Sequence, residues 1–250
     1  MHVNESRALV TGGARGMGFE FAKQLVQAGA KVTFCDVDEG AVKAAAEELG
    51  ATGVVADVSK EADVVRLFDA AYAAMGGVNV LVNNAGILRD GLLVKQDRET
   101  GAVTGLDLAK WQAVIDVNLT GPFLCMREFA TRAVKEGIRP AVAVNLSSVA
   151  RSGNMGQSNY SAAKAGLAAD TMVWAKELAK FGVRVGAVAP GFIRTPMVAS
   201  MKPEVLDKVI APVPLKRLGE AEEIWQAVKF IVECEYFTGR VVEVDGGLVL

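Results

Sequence analysis

The 250-residue sequence predicts one α/β domain built on parallel strands. Three observations carry this. The first part of the chain repeats a short apolar run followed by an amphipathic segment, a βα unit that recurs in register and implies parallel strands joined by right-handed crossovers. A glycine-rich turn separates the first run from the first amphipathic segment, where backbone N–H groups can face an anion. Hydrophobic residues make up 51% of the chain, enough for a sizeable core, and no linker, repeat or low-complexity stretch divides residues 1–250.

Arg7–Thr11 is the first strand. Gly12-Gly13-Ala14-Arg15-Gly16-Met17-Gly18 follows at once, and Phe19, Phe21, Ala22, Leu25 and Val26 then mark the apolar face of a helix closed by Gly29. The spacing is Gly-x-x-x-Gly-x-Gly rather than the commoner Gly-x-Gly-x-x-Gly of dinucleotide folds. Strand, loop and helix nevertheless come in the order that aims N–H groups at a pyrophosphate. Lys31–Asp36 is the second strand and ends on an acid. Asp36 lies 18 residues past Gly18 (36 − 18), about where a carboxylate accepts hydrogen bonds from adenosine ribose hydroxyls and repels a 2′-phosphate. That argues for NAD. Arg15 argues for NADP, because a guanidinium in the loop pairs with such a phosphate. Asp36 decides, since a like-charge clash costs binding directly whereas an exposed arginine turns to solvent; NAD(H) is favoured and NADP stays open.

The segment 40–50 is an Ala/Glu-rich helix, and 52–58 is the third strand, with Asp57 near an adenine edge. Glu61–Met75 is a helix bearing Val64, Val65, Phe68, Ala71 and Tyr72 on one side. The fourth strand, 78–83, runs into Asn84-Ala85-Gly86. Residues 87–107 are irregular, with a polar excursion over 95–104 that turns at Thr100-Gly101 and suits a small hairpin. It reads either as a solvated loop or as a substrate-rim or subunit-contact element. A long helix from Leu108 to about Glu136 carries Trp111, Ile115, Phe123, Leu124 and Phe129. Asn118, Gly121 and Pro122 inside it break local propensity and predict a kink that frees a backbone carbonyl.

Residues 141–146 form the fifth strand, followed by Ser147-Ser148. The helix from Asn159 carries Tyr160 and Lys164 and continues its apolar face through Leu167, Met172, Val173 and Leu178. The sixth strand, 183–189, ends in Pro190-Gly191. The stretch 192–219 is proline-punctuated and amphipathic, with Met197, Val198, Met201, Val205, Leu206 and Ile210; it reads as a cover over a pocket or as a fixed surface helix. A last helix over 220–234 and a strand over 240–245 precede Gly246-Gly247. The apolar end, Leu248-Val249-Leu250, is expected to be buried, at a subunit contact.

Tyr160 and Lys164 are four residues apart on one helical face. A free tyrosine has a pKa near ~10. A neighbouring ammonium favours the phenolate and brings the group towards acid–base work at neutral pH. Other chemistries are disfavoured. His2 is the only histidine, in a terminus expected to fray, and Cys35, Cys125 and Cys234 are scattered, so a histidine triad, a metal site or a disulfide framework is not expected. The formal charge of −2 gives no reason to expect nucleic acid or an anionic membrane. Met1–Arg7 has no apolar leader core and no apolar run reaches the ~18 residues of a membrane span, so a reducing cytoplasm is the expected compartment.

Over nearly its whole length the chain resembles the short-chain dehydrogenase/reductase family. The resemblance rests on Thr11–Gly18, Asp57, Asn83-Asn84-Ala85-Gly86, Asn118, Ser148, Tyr160 with Lys164, Pro190-Gly191 and Asp245-Gly246-Gly247, in order and at the family's intervals. Within the family it looks most like the 3-oxoacyl-[acyl-carrier-protein] reductase group. The resemblance implies a Rossmann-type doubly wound, seven-stranded parallel sheet in three α/β/α layers, assembled as a homotetramer. It implies a catalytic set: Tyr160 as proton donor in reduction and base in oxidation, Lys164 lowering the tyrosine pKa and holding the nicotinamide ribose, Ser148 orienting the substrate oxygen, and Asn118 holding a water that connects Lys164 to solvent. Cofactor contacts would come from Gly12, Arg15, Gly16, Met17, Asp36, Asp57, Val58, Asn84, Ala85, Gly86, Tyr160, Lys164, Pro190, Gly191, Ile193 and Thr195.

Ser147 and Ser148 compete for one role. The interval of 13 residues to the tyrosine (160 − 147) picks Ser147, whereas the local Ser-Val-Ala pattern picks Ser148, which is preferred. The chain departs from the family pattern in its 95–104 excursion, in Phe181 where carrier-protein reductases often carry a basic residue, and in Gly186 where asparagine is usual. Two activities follow: hydride transfer between NAD(H) and a small secondary alcohol or ketone, or NADPH-dependent reduction of a 3-oxoacyl thioester. A binding protein without turnover is the third reading, and the complete catalytic set argues against it.

Overall fold

The strands of the central sheet are apolar on both faces because both faces are covered by helices. In β1 (Arg7–Thr11), Ala8 and Val10 face one helical layer and Leu9 the other, as the period of a strand requires. The computed structural model describes residues 1–194, 198 and 203–250. Beside β1 the main sheet contains β2 (Lys31–Asp36), β3 (Thr52–Val55), β4 (Val80–Asn83), β7 (Ala141–Leu146), β8 (Val183–Pro190) and β9 (Val241–Val244). Its order is β3-β2-β1-β4-β7-β8-β9, and every pairing is parallel. A separate antiparallel pair, β5 (Val94–Gln96) with β6 (Val103–Gly105), forms the hairpin expected over 95–104.

The helices are α1 (Gly16–Gln27), α2 (Glu39–Leu49), α3 (Glu61–Met75), α4 (Leu108–Ile115), α5 (Gly121–Glu136), α6 (Ser158–Leu178), α7 (Pro203–Ile210) and α8 (Ala221–Glu233). Phe21 and Leu25 of α1 pack with Trp225, Val228 and Ile231 of α8 on one face. Leu67 and Phe68 of α3 pack with Met126 and Phe129 of α5 on the other. The doubly wound seven-stranded fold is therefore the one the sequence predicts, in three layers.

Several local expectations are corrected. The terminus is not frayed: Val3 is buried, residues Val3–Glu5 form a 3-10 turn, and the Met1 amino group pairs with Glu235. The long helix is not a simple kink. A π-helical segment, Asp116–Thr120, joins α4 to α5, with the Gly121 N–H donating to Asp116 O. Pro122 has no N–H, so the Asn118 carbonyl four residues back loses its α-helical donor. At the C-terminus Leu248 is buried within the chain, and Val249 is 88% exposed in the single chain, where a subunit contact could still cover it. Met155, in the loop before α6, is 88% exposed. Thr195, Met197 and Met201 lie outside the described residues, with the rest of 195–197 and 199–202 of the expected cover.

Gly186 has a packing reason. A Cβ there would lie 2.7 Å from Ile231 Cγ2 and 2.9 Å from Phe237 Cε1, so the close approach of α8 to β8 leaves no room for a side chain. Arg184, whose role was not read from the sequence, reaches past the same helix. Its guanidinium donates to the carbonyls of Ile231 at 2.8 Å, Val232 at 2.8 Å and Phe237 at 3.0 Å, satisfying the C-terminal end of α8.

Candidate active site

Parallel strands end on one edge, so the loops that leave them gather there. The sequence-predicted residues follow β1 (Gly12–Met17), β3 (Asp57, Val58), β4 (Asn84–Gly86) and β7 (Ser147, Ser148), or end β2 (Asp36) and β8 (Pro190, then Gly191 and Ile193). Between β1 and β4 the winding reverses, from β1-β2-β3 on one side to β4-β7-β8-β9 on the other. That reversal opens a crevice beyond the carboxyl ends of the strands.

The glycine loop is built by steric demand. Gly12 has φ +62°, and a Cβ on it would sit 2.9 Å from Ala85 Cα; a Cβ on Gly18 would lie 2.1 Å from Gly12 O. Asn84 fastens the loop to β4, donating from Nδ2 to Thr11 O at 3.1 Å and to Gly12 O at 3.0 Å. The Thr11 hydroxyl accepts from the N–H groups of Asn84 and Ala85 at 3.0 and 3.1 Å. No side chain caps α1, and a Cβ on Gly16 (φ +55°) would meet nothing within 4 Å. A helix N-terminus left uncapped beside open space suits a diphosphate. Met17 packs half-buried against the core beneath it.

At the end of β2, Asp36 Oδ1 accepts the Val37 N–H at 2.8 Å, and its other oxygen has no partner among the described residues. Arg15 is ion-paired with Asp38. The Ala41 N–H and then Arg15 hold the Asp38 carboxyl below the usual carboxylate range. Asp38 was missed in the sequence. It is the N-cap of α2, accepting from Ala41 N at 2.9 Å, and an acid before a helix is the signal that could have found it. Asp57 holds the Ser59 hydroxyl at 2.6 Å and N–H at 3.0 Å, with Lys60 beside it. Burial works to raise Asp57, but these hydrogen bonds outweigh it and its pKa is lowered. Val58 is buried against Gly121, where a Cβ would come within 2.9 Å. Pro190 is buried, Gly191 lies so near Asp245 that a Cβ would approach its Cα to 2.6 Å, and Ile193 bridges to Gly219. A dinucleotide of the NAD(P) class fits this edge: its diphosphate would lie at the α1 N-terminus and its adenosine ribose near Asp36.

Asn118 is fully buried in the π-helical segment. Its Oδ1 accepts the Ile87 N–H at 2.8 Å and its Nδ2 donates to Ile87 O at 3.0 Å. The sequence reading gave it a water to hold; its side chain is committed to Ile87, which leaves the backbone carbonyl for that task. Lys164 is buried on α6 and donates to Leu146 O at 2.6 Å. Burial pushes its pKa down to about 8. A Cβ on Gly86 would lie 3.4 Å from Asn118 Oδ1 and 3.7 Å from Lys164 Nζ, so Gly86 lies between the two.

The Lys164 ammonium lies 5.5 Å from the centroid of the Tyr160 ring. In the protein without cofactor the Tyr160 pKa stands above its usual value. Burial raises the Tyr160 pKa, a hydrogen bond with the Ser148 hydroxyl pulls it back, and the Asp90 charge adds to the rise. The two serines are separated by their contacts. Ser147 is buried and donates to Lys164 O at 2.9 Å, whereas Ser148 reaches Tyr160 and also accepts the Ala150 N–H at 3.1 Å. Asn159, also missed, accepts the Tyr160 N–H on its Oδ1 at 2.8 Å.

Tyr160 and Ser148 bring two hydroxyls together beside the crevice, where both could reach one substrate oxygen, an arrangement that suits hydride transfer. A family model described as enoyl-(acyl carrier protein) reductase matches residues 12–249, and the chain belongs to the short-chain dehydrogenase/reductase family, whose members are oxidoreductases. It is 39% identical to a 3-oxoacyl-[acyl-carrier-protein] reductase of Aquifex aeolicus, over 96% of each chain. It is 40% identical to such a reductase of a Synechocystis species, over 97% of this chain and 96% of the relative. It is 36% identical to a (3R)-3-hydroxyacyl-CoA dehydrogenase of Canis lupus familiaris, over 100% of this chain and 98% of the relative.

Proposed function

We propose that the protein transfers a hydride between NAD(H) and carbon 3 of a 3-oxoacyl or 3-hydroxyacyl thioester. It joins the cofactor of the first sequence reading to the substrate of the second, and the activities for which the relatives are named support that substrate. The observation that carries the chemistry is the meeting of Tyr160, Ser148 and Lys164 next to the glycine loop. The preference for NAD(H) rests on Asp36 and on Arg15, whose charge is already met by Asp38. A 2′-phosphate would face two carboxylates and one engaged guanidinium.

When bound, the dinucleotide supplies or accepts the hydride. In reduction the Tyr160 hydroxyl donates its proton to the substrate oxygen as negative charge builds there, and the Ser148 hydroxyl donates a second hydrogen bond to the same oxygen. Both interactions strengthen in the transition state and so lower the barrier. Lys164 would hold the nicotinamide ribose and offsets charge on Tyr160 once the proton has left. The Asn118 carbonyl holds the water through which Lys164 exchanges protons with solvent. In oxidation the same groups act in reverse, with Tyr160 as base. A homotetramer in the cytoplasm completes the proposal.

Tyr160→Phe tests it. Turnover should fall roughly 10²- to 10⁴-fold, the usual worth of a general acid, while NADH binding followed by fluorescence stays near wild type. Turnover within a few fold of wild type would refute the assignment.

A further inference from the structure

Residues 87–92 form a strap from the catalytic groups to the β5–β6 hairpin. At its start Gly86 lies beside Lys164, and Asn118 brackets Ile87 through the two hydrogen bonds described above. Farther on, the strap is fastened to the turn just before Tyr160. The Gly91 N–H donates to Gly156 O at 2.8 Å, and Gly91 bridges to Gln157, three positions before Tyr160 (160 − 157). Gln157 Nε2 donates to Asp90 Oδ2 at 3.0 Å, and Asn159 Nδ2 donates to Arg89 O at 3.0 Å. The base of the hairpin is closed by the Leu106 N–H, which donates to Leu93 O at 3.0 Å. Hydrogen bonds at both ends therefore hold the strap beside the site.

Along this track apolar side chains stand open. Leu88 and Leu92 on the strap, Val94 and Val103 on the hairpin, and Met155 next to Gly156 are all exposed. Val94 and Val103 share one face of the hairpin, because Val94 pairs with Gly105 and Gln96 with Val103. Gly105 leaves a notch opposite Val94. A Cβ built on it would meet nothing among the described residues nearer than Leu93 O, at 3.8 Å, and a strand glycine suits a place where another group comes close. No residue of β5 or β6 is buried, and a two-stranded hairpin is marginal in water unless something packs on it. The charges of the hairpin cancel, Lys95 and Arg98 against Asp97 and Glu99, so it offers a charged partner no net attraction. What it offers is aliphatic surface, continuous with the site: Val94 is at most about 11 Å from Gly91, three fully extended residues.

We propose that the strap and the Val94–Val103 face of the hairpin hold the aliphatic tail of the acyl thioester, and so make the enzyme prefer medium over short acyl chains. This rests on the thioester reading above. With carbon 3 at Tyr160, the alkyl end of the substrate has still to be placed, and the strap is the apolar track tied to that tyrosine. Contact with Leu92, Val94 and Val103 takes methylene groups out of water, worth roughly two- to fourfold in affinity for each methylene covered. The contact is made equally before and during hydride transfer, so it lowers KM and leaves kcat in place.

The test is kcat and KM for the 3-oxobutanoyl, 3-oxohexanoyl and 3-oxodecanoyl thioesters of N-acetylcysteamine, with NADH and with NADPH, for the wild type and for Val94→Ser combined with Val103→Ser. Wild-type KM should fall at least roughly tenfold from the shortest chain to the longest. In the double variant most of that fall should vanish, while kcat and the kinetics on the 3-oxobutanoyl thioester stay as in the wild type. Both side chains are exposed, so the fold does not depend on them. A wild-type KM independent of chain length, or a variant weakened equally on every chain, would overturn the proposal. A variant that changes its oligomeric state by light scattering but keeps the chain-length dependence would assign the face to a second copy and overturn it too. Hydrogen exchange reads the contact without turnover: in the complex with NADH, the 3-hydroxydecanoyl thioester should protect amides over 92–105 and the 3-hydroxybutanoyl thioester should not. Equal exchange in the two complexes would contradict the contact. No turnover of any thioester with either cofactor sinks the thioester reading and this proposal with it, whereas turnover of all three at one KM sinks only the proposal.

Discussion

Burial depresses Lys164 from 10.5 to about 8, so the folded protein disfavours its ammonium. A lysine whose folded pKa lies below its unfolded one destabilises the fold. The penalty is fully present below about 8 and fades as pH rises towards 10.5, because across that window the unfolded chain holds the extra proton. Lys164→Met removes the ammonium. The Tm of the variant minus that of the wild type, both without cofactor, should be more positive at pH 7 than at pH 10, and turnover should be lost. A difference independent of pH would contradict the buried-charge account. At this scale the sequence was partly legible. The spacing of Tyr160 and Lys164 on one helical face is local and was read directly. Asp38 as the partner of Arg15, Asp90 as the partner of Gln157, and Asn159 as the tie to Arg89 were not. These pairs are separated by 23, 67 and 70 residues, and only the fold brings them together.

At the scale of elements, Gly186 marks where α8 comes closest to the sheet. Gly186→Ala places a methyl group against Ile231 and Phe237, an overpacking that typically costs about 1–3 kcal/mol. Tm should fall by several degrees, and the double variant with Ile231→Ala should lose less than the sum of the two single losses, because the two changes share one clash. Strictly additive losses would contradict this. The hairpin was legible because its turn is local. Asp97 Oδ1 accepts from Thr100 N and Oγ1 at 2.8 and 2.9 Å, and Gly101 takes φ +72°. Its task was not legible, since its strand residues are exposed and face no neighbour that would name one. The π-helical segment was half legible. Asn118, Gly121 and Pro122 announced a break, but whether a helix answers with a kink or with an extra residue per turn depends on what packs against it, here Ile87 and Val58.

For the whole molecule, parallel strands explain why residues from Gly12 to Ile193 meet on one edge. The strand order that opens the crevice between β1 and β4 came from the family resemblance, not from periodicity, which carries no information on neighbours. The outward face of α6 supports the proposed tetramer. Ala165, Ala169 and the half-exposed Met172 line a cleft with Arg151, whose Nη1 is buried without a hydrogen-bond partner among the described residues. Light scattering should find a tetramer for the wild type, and Ala169→Arg should yield a smaller species with an unchanged circular dichroism spectrum. A monomeric wild type, or a variant that still forms the tetramer, would contradict that use of the face.

The central claim is that this site reduces a 3-oxoacyl thioester with NADH. The most direct measurement compares initial rates on one short 3-oxoacyl thioester and one simple aryl ketone, each with NADH and with NADPH. The account predicts turnover of the thioester with kcat/KM for NADH at least ~10-fold above that for NADPH, since a like-charge clash at Asp36 is worth on the order of 1.4 kcal/mol or more. Preference for NADPH would mean that Arg15 outweighs Asp36 and would contradict the cofactor assignment; turnover of the ketone alone would contradict the thioester.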